Sequence, residues 1–185
     1  EAISHPFQFQ ISLGSQLPAQ DFDGLLVSKV HLELGNPAIH LHGILSSIEQ
    51  RYDGAWSPEA GTLTRFDVML VPTLWKLSLT TRTRIFQEMT VPDIVKKIVN
   101  EASIPAAETD WKIQRPHEKH EFVLQYQESD LHFIHRLMEQ EGIFYFFLHG
   151  EDQETTVFAD TKSAFEEITG DPVVRVGRPD TTVGE

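Results

Sequence analysis

The stretch from Glu121 to His149, EFVLQYQESDLHFIHRLMEQEGIFYFFLH, constrains the fold more than any other part of the chain. Phe122, Leu124 and Tyr126 alternate with Glu121, Val123 and Gln125, the period-2 pattern of a strand with one face buried, and the apolar trio is the side expected to face inward. Ser129 offers a hydroxyl at a helix N-cap, and Asp130 places negative charge in the first turn, where the helix dipole favours it. Leu131, Ile134 and Met138, flanked by Phe133 and Leu137, form an apolar stripe at helical spacing. Gly142 can take the positive φ that ends a helix. Residues 143–148 are then apolar at every position, so both faces of that second strand need cover. The unit reads strand, amphipathic helix, strand.

At 185 residues the chain has room for one large or two small domains. With 40% hydrophobic residues, including twelve Phe and three Trp, it can bury a sizeable core. A formal charge of −13 argues against nucleic acid or an anionic membrane as partner, because the electrostatic term would be repulsive. The absence of cysteine excludes disulfide scaffolds and thiolate metal sites. No apolar run approaches the ~20 residues of a membrane span, and no secretory leader pattern opens the sequence, so no stable membrane anchor is expected. The chain begins at Glu1 and ends in a polar tail, as a piece of a longer protein would.

Before that unit, the first eighty or so residues read as β structure. Phe7 to Leu13 alternates with Gln8, Gln10 and Ser12 outward. Val30, Leu32 and Leu34 alternate likewise, as do Ile39, Leu41 and Leu45, then Phe66, Val68 and Leu70. Trp75, Leu77 and Leu79 continue the pattern, followed by Thr81, Thr83 and Ile85. Gly14, Gly35-Asn36-Pro37, Asp53-Gly54, Pro58 to Gly61 and Pro72 read as turns. Short strands at such spacing predict an antiparallel barrel or sandwich. At Thr90 the period changes. Thr90 is a candidate N-cap, Pro92 sits where its missing N–H costs nothing, and Asp93 suits the dipole. Val91, Ile94, Val95, Ile98, Val99 and Ala102 then form a helical stripe that ends near Ser103, before Pro105. The fold class expected is mainly β (α+β): a β-barrel domain over 1–88, then an α+β domain over 89–185 with two amphipathic helices. Thr155 to Ala159 is a further strand, and beyond Lys162 the pattern fades into loop.

Nine histidines raise the question of metal chemistry. His40 and His42 lie two apart on one strand face and could chelate, though a third ligand is missing and a solvated strand face explains them as well. His117-Glu118-Lys119-His120-Glu121 is superficially like a zincin motif, but its histidines are three apart, follow Pro116 and lead into a strand. A metal-dependent hydrolase using His40, His42, His117 or His120 is the alternative function. His132 and His135 share a helix face at the rim of the apolar stripe. Glu128, Glu139 and Glu141 belong to a solvated helix surface. No G-x-S-x-G, P-loop or G-x-G-x-x-G occurs, and nothing assembles a nucleophile, a base and an oxyanion donor. The residues point to a non-enzyme without cofactor.

Longer blocks carry a resemblance. Leu70-Val71-Pro72-Thr73-Leu74-Trp75-Lys76-Leu77, Arg84-Ile85-Phe86-Gln87 and Val91-Pro92-Asp93-Ile94-Val95 resemble the VgrG proteins, the spike tips of type VI secretion systems, and the related baseplate hubs of contractile-tailed phages. The likeness is strongest at Gln125-Tyr126-Gln127-Glu128-Ser129-Asp130-Leu131 and from Arg136 to Phe146. Trp75, Phe86, Tyr126, Asp130, Gly142, Phe144 and Tyr145 are the fold and assembly signature it picks out. The resemblance implies a trimeric hub docked on a hexameric tube of Hcp-like subunits, in contact with baseplate components and effector proteins. It also implies a cytoplasmic protein before firing, then one translocated through the apparatus. Three copies, each at −13, repel at long range, so only short-range apolar burial can hold them together.

Overall fold

The computed structural model describes residues 2–15, 23–35, 39–57 and 61–166. The turns expected at 35–37 and 58–61 lie largely outside those residues, as does the loop beyond residue 166. Four strands, β1 (Phe9–Ser15), β2 (Lys29–Leu34), β3 (Ile39–Ser57) and β4 (Gly61–Val71), form one antiparallel sheet in the order β1-β4-β3-β2. Phe66, Val68 and Leu70 of β4 are buried, as their alternation predicts. They lie opposite Leu13, Ile11 and Phe9 of β1. The sheet curls into an antiparallel half-barrel, which agrees with the barrel-type fold class read from the sequence.

Three local expectations in this half are corrected. Asp53-Gly54 does not turn the chain: β3 runs through it for 19 residues and absorbs it in a register shift between Tyr52 and Trp56. Gly14 likewise lies inside β1, opposite Arg65. Trp75, Leu77 and Leu79 do not form a strand, because residues Thr73–Ser78 form a 3-10 helix after Pro72. Leu74 and Leu77 are three apart, one turn of such a helix, so both reach the core while Trp75 is half-buried and Leu79 is exposed. Gly43 is required for a different reason: a Cβ there would collide with the Val71 carbonyl oxygen, where β3 passes the end of β4.

The chain continues through β5 (Thr81–Phe86), α1 (Val91–Glu101), β6 (Thr109–Lys112), β7 (Val123–Ser129), α2 (Asp130–Glu141), β8 (Phe144–His149) and β9 (Glu154–Ala159). Both helices start as their caps predict. Thr90 Oγ1 accepts the Asp93 N–H at 3.3 Å, and Ser129 Oγ accepts the His132 N–H at 3.1 Å. Gly142 closes α2 at φ 65°, in the left-handed region. Val91, Ile94, Val95, Ile98 and Val99 are all buried. Full burial of one such aliphatic side chain is worth about 1.5–3 kcal/mol, so the stripe supplies far more than α1's own propensity could.

β8 pairs antiparallel with β9, and β6 joins β9 on its other side in parallel. The sequence analysis did not find β6. Tyr145 and Phe147 of β8 point into the core, while Phe144 and Phe146 are half-covered by Phe165, with ring centroids at 5.3 and 5.0 Å. The main core joins Phe7, Leu70, Leu74 and Leu77 to Ile94, Ile98, Phe133, Ile134, Tyr145 and Phe158. The boundary expected at residue 88 falls between β5 and α1, and this cluster runs across it.

Candidate assembly face

β5 and β7 pair antiparallel in a two-stranded ribbon, with Ile85 opposite Leu124. Here the expected burial is inverted. Gln125 is fully buried, whereas Phe122, Leu124 and Tyr126 are exposed by 54, 40 and 62%, and Ile85 by 55%. The polar side of β7 is the inner one because it is fully partnered. The Gln125 amide oxygen accepts Arg84 Nε–H at 2.7 Å. Its NH₂ donates to Asp130 Oδ1 at 2.9 Å and to the Glu128 carbonyl at 3.1 Å.

Asp130, buried in the first turn of α2, also receives Arg84 Nη2 at 2.9 Å, and Arg82 Nε lies 3.3 Å from its other oxygen. Arg84 reaches on to Glu101 at the end of α1 and covers the Phe86 ring at 5.1 Å. A buried polar group with all its partners costs little, while one without them costs roughly 1–3 kcal/mol. The network therefore selects the register and turns the aromatic side of β7 outward. A bulge in β7 assists it, where Tyr126 and Gln127 together face Thr83 of β5. Within it Gln127 takes φ 47°, and its N–H donates to the Thr83 hydroxyl at 3.2 Å.

The remaining signature residues divide into framework and surface. Phe86 is buried and stacks on Phe133 with centroids 5.6 Å apart. Tyr145 is fully buried, and its hydroxyl lies 2.9 Å from His135 Nε2. Burial raises the Tyr145 pKa and lowers that of His135 to about 4, where the positive charges of His5 and His132 act in the same direction. Gly142 is fastened by Arg115, whose Nη2 donates to the carbonyls of Glu141 and Gly142 at 3.0 and 3.1 Å. Of the seven, Tyr126 alone belongs to the exposed apolar face.

Five of the nine histidines form two clusters. His42 lies opposite His31 of β2 with rings stacked at 4.3 Å, and His31 Nε2 is 3.0 Å from His40 Nδ1, so the sequence pair is in fact a trio. His117 bridges Glu141 at 2.9 Å and Asp160 at 3.1 Å, while His120 meets the other Glu141 oxygen at 3.2 Å. The hydrogen bond from His117 is the main reason the Glu141 pKa is lowered. For Asp160, burial acts upward, but the N–H groups of Gln114 and Arg115 and the His117 ring outweigh it and hold its pKa down. Among the described residues, no group of three or more His, Asp or Glu could hold a metal ion. These clusters fasten the 113–120 segment and the β2–β3 surface, and they assemble no nucleophile with a base.

A curled antiparallel sheet sharing its core with two capped helices, and bearing an outward apolar ribbon, defines a fold of the baseplate-hub type. The chain belongs to the phage tail baseplate hub (GPD) family, whose model matches residues 1–185. It is similar to the type VI secretion system spike protein VgrG4b of Pseudomonas aeruginosa, 33% identical over 179 residues, covering 97% of this chain and 20% of that protein. VgrG1b of the same organism is 33% identical over 169 residues, covering 90% and 22%. The chain thus spans about a fifth of the length of these relatives. Among solved structures, the E. coli c3393 protein, described as a type VI secretion component similar to the T4 tail proteins gp27 and gp5, superposes with TM-score 0.81 at 27% identity, covering 89% of this chain and 45% of that one. The Francisella PdpA-VgrG complex shares the fold at TM-score 0.60 and 10% identity, over 85% of this chain and 26% of that one.

Proposed function

We propose that the chain forms the N-terminal part of a trimeric spike hub in a type VI contractile injection machine. The observation that carries this reading is the apolar face of Ile85, Phe122, Leu124 and Tyr126, exposed on a chain that matches the hub family from end to end. Contiguous exposed apolar surface of this kind marks interaction sites in soluble proteins. In this reading the face packs against neighbouring copies, with Tyr126 as its aromatic anchor and Asp130, Phe86 and Tyr145 as the framework that holds it out. The assembled ring docks on a hexameric Hcp-like tube, contacts baseplate components and supports delivery of effector proteins. It stays in the cytoplasm until firing, then passes through the apparatus into the target.

Sedimentation and light scattering across salt and protein concentration test the assembly step. Copies carrying −13 each should associate weakly at low salt and more tightly as salt screens their repulsion, toward a trimer. Phe122→Ser with Tyr126→Ser should abolish that association and leave the monomer folded. A strict monomer under all conditions, or a tight even-numbered oligomer, would remove the assembly reading.

A further inference from the structure

The His117 ring is held between two carboxylates. Its side chain is only 5% exposed, with Nδ1 2.9 Å from Glu141 Oε2 and Nε2 3.1 Å from Asp160 Oδ2. A neutral imidazole carries one N–H and one bare lone pair. In either tautomer, one nitrogen would point that lone pair at a carboxylate oxygen, acceptor against acceptor. The missing proton does not come from the carboxylates, because both are ionised at neutral pH. The hydrogen bond from His117 is the main cause that lowers the Glu141 pKa. At Asp160 burial acts upward, but the N–H groups of Gln114 and Arg115 and the His117 ring outweigh it. His120 differs, since only its Nε2 faces Glu141, at 3.2 Å, and one N–H is enough there.

We propose that His117 is held as the doubly protonated imidazolium at neutral pH and acts as a pH-sensitive latch at the root of the β5–β7 ribbon. Charge balance agrees. The groups facing the ring or its two carboxylates are Glu141 at the end of α2, Asp160 after β9, and Arg115 and His120 from the ring's own segment. Glu118, Lys119 and Glu121 beside them are exposed. With a neutral ring, two carboxylates would face only the Arg115 guanidinium, and the Asp160 side chain is fully buried. With the imidazolium the charges cancel, as a buried pair requires.

The latch ties the 113–120 segment to the end of α2 and to the residue that follows β9. The same segment leads into β7. The His120 N–H donates to the Met89 carbonyl at 3.0 Å, a bridge that continues the register in which Phe86 meets Val123. Loss of one ring proton leaves a buried lone pair against a carboxylate and loosens that root. The latch is thus closed in the middle of the pH range. It opens on the alkaline side as the ring loses its second proton. On the acid side it opens only as the carboxylates gain theirs, below 3.8 for Asp160 and below 4.5 for Glu141. The inference does not depend on the hub reading.

Long-range proton–nitrogen NMR of the histidine rings at about pH 7.5 reads the protonation directly. The expected result is two protonated nitrogens at His117 and one at His120. Glu141→Gln is the control, because its amide can donate to the bare nitrogen of a neutral ring. In that variant His117 should show a single N–H, directed at Asp160. Amide exchange, corrected for the intrinsic rate at each pH, reads the latch itself. The Gln114 and Arg115 amides are bound to Asp160 and that of His120 to Met89. Their protection should fall about tenfold from pH 6.5 to about 9, the order expected for loss of one charge-assisted hydrogen bond, while the amides of α1 keep theirs. In Glu141→Gln it should stay level. A neutral His117 in the wild-type chain at pH 7.5 would overturn the proposal. So would protection at these three amides that ignores pH, or a fall shared equally by α1. All three are read on the native chain, whether or not the variant folds.

Discussion

α1 and β7 both carry apolar residues at the spacing of their own element, yet they use them in opposite ways. In α1 the stripe from Val91 to Val99 is buried, and Asp93, Lys97 and Asn100 face outward. In β7 the aromatic and aliphatic side is outward and Gln125 is inward. The helix has only one apolar side, and its polar residues with distant partners, Glu101 with Arg84 and Lys96 and Lys97 over the Trp111 and Phe86 rings, lie outside the buried stripe, so transfer free energy decides its orientation. The strand has Val123 and Gln125 on one side and Leu124 and Tyr126 on the other. A satisfied hydrogen-bond network on the first side outweighs the hydrophobic gain available on the second. Burial is thus decided by the sum of both terms, and apolar pattern alone is a safe guide only when the opposite face has no partners waiting for it.

The comparison breaks most visibly at Ile98. Ile98→Asp places an unpaired charge in the core and should cost about 5 kcal/mol, read as a large drop in the denaturant midpoint. A variant unfolding with the wild type would mean that the assigned side of α1 is wrong. At the other element, Asp130→Ala should cost about 3–4 kcal/mol, because it strands Arg84 and Gln125 with their partner gone. Should Asp130→Ala prove neutral, the network cannot be what turns β7 over.

Glu154 sharpens the contrast, being a buried polar group that is only half satisfied. Its pKa is raised from 4.5 to about 7, so the native state holds the proton more tightly than the unfolded chain. Its cost is absent below pH 4.5, grows as pH rises from there to 7, and is complete above 7. Glu154→Gln should therefore stabilise the protein by about 2–3 kcal/mol at pH 8, and the gain should vanish near pH 4. Thermal melts of both forms from pH 4 to 8 check the sign. A gain independent of pH would show that the carboxylate charge is not the cause.

Smaller effects follow at the boundary and on the surface. Gly142→Val forces a β-branched residue to φ 65°, at a cost of about 1–2 kcal/mol, and its side chain meets Arg115. The smallest change should come from Leu124→Ser, which should shift monomer stability by no more than about 1 kcal/mol despite removing a leucine, because that side chain is 40% exposed and lies outside the core cluster. A loss comparable to a core leucine would put β7 back in its expected orientation.

Much of the local structure was legible in the residues. Thr90, Pro92, Ser129 and Gly142 announce the starts of both helices and the end of the second, because caps act over three or four positions. The buried alternation of Phe66, Val68 and Leu70 is equally direct. The framework part of the seven-residue signature could be recognised as sequence blocks, but not the role of each member. Tyr126 gave no sign that it would lie outside while Gln125 lay inside. The gathering of His117 and His120 on Glu141 links positions 24 and 21 apart, and neither spacing has a local signature.

By itself, then, the sequence determined where most strands and both helices run, how those helices are capped and which family the chain joins. Each of these rests on a few neighbouring side chains or on long ordered blocks. The tertiary structure alone decided that Thr73–Ser78 winds as a 3-10 helix, that β6 adds to β9 in parallel and that β7 shows its aromatic side to solvent. It also decided that Glu108 and Glu154 share a cavity. The reason is the same in every case. Which face of an element is buried depends on partners brought from elsewhere, as with Arg84 on Gln125 across 41 positions, and a periodic pattern holds no record of them.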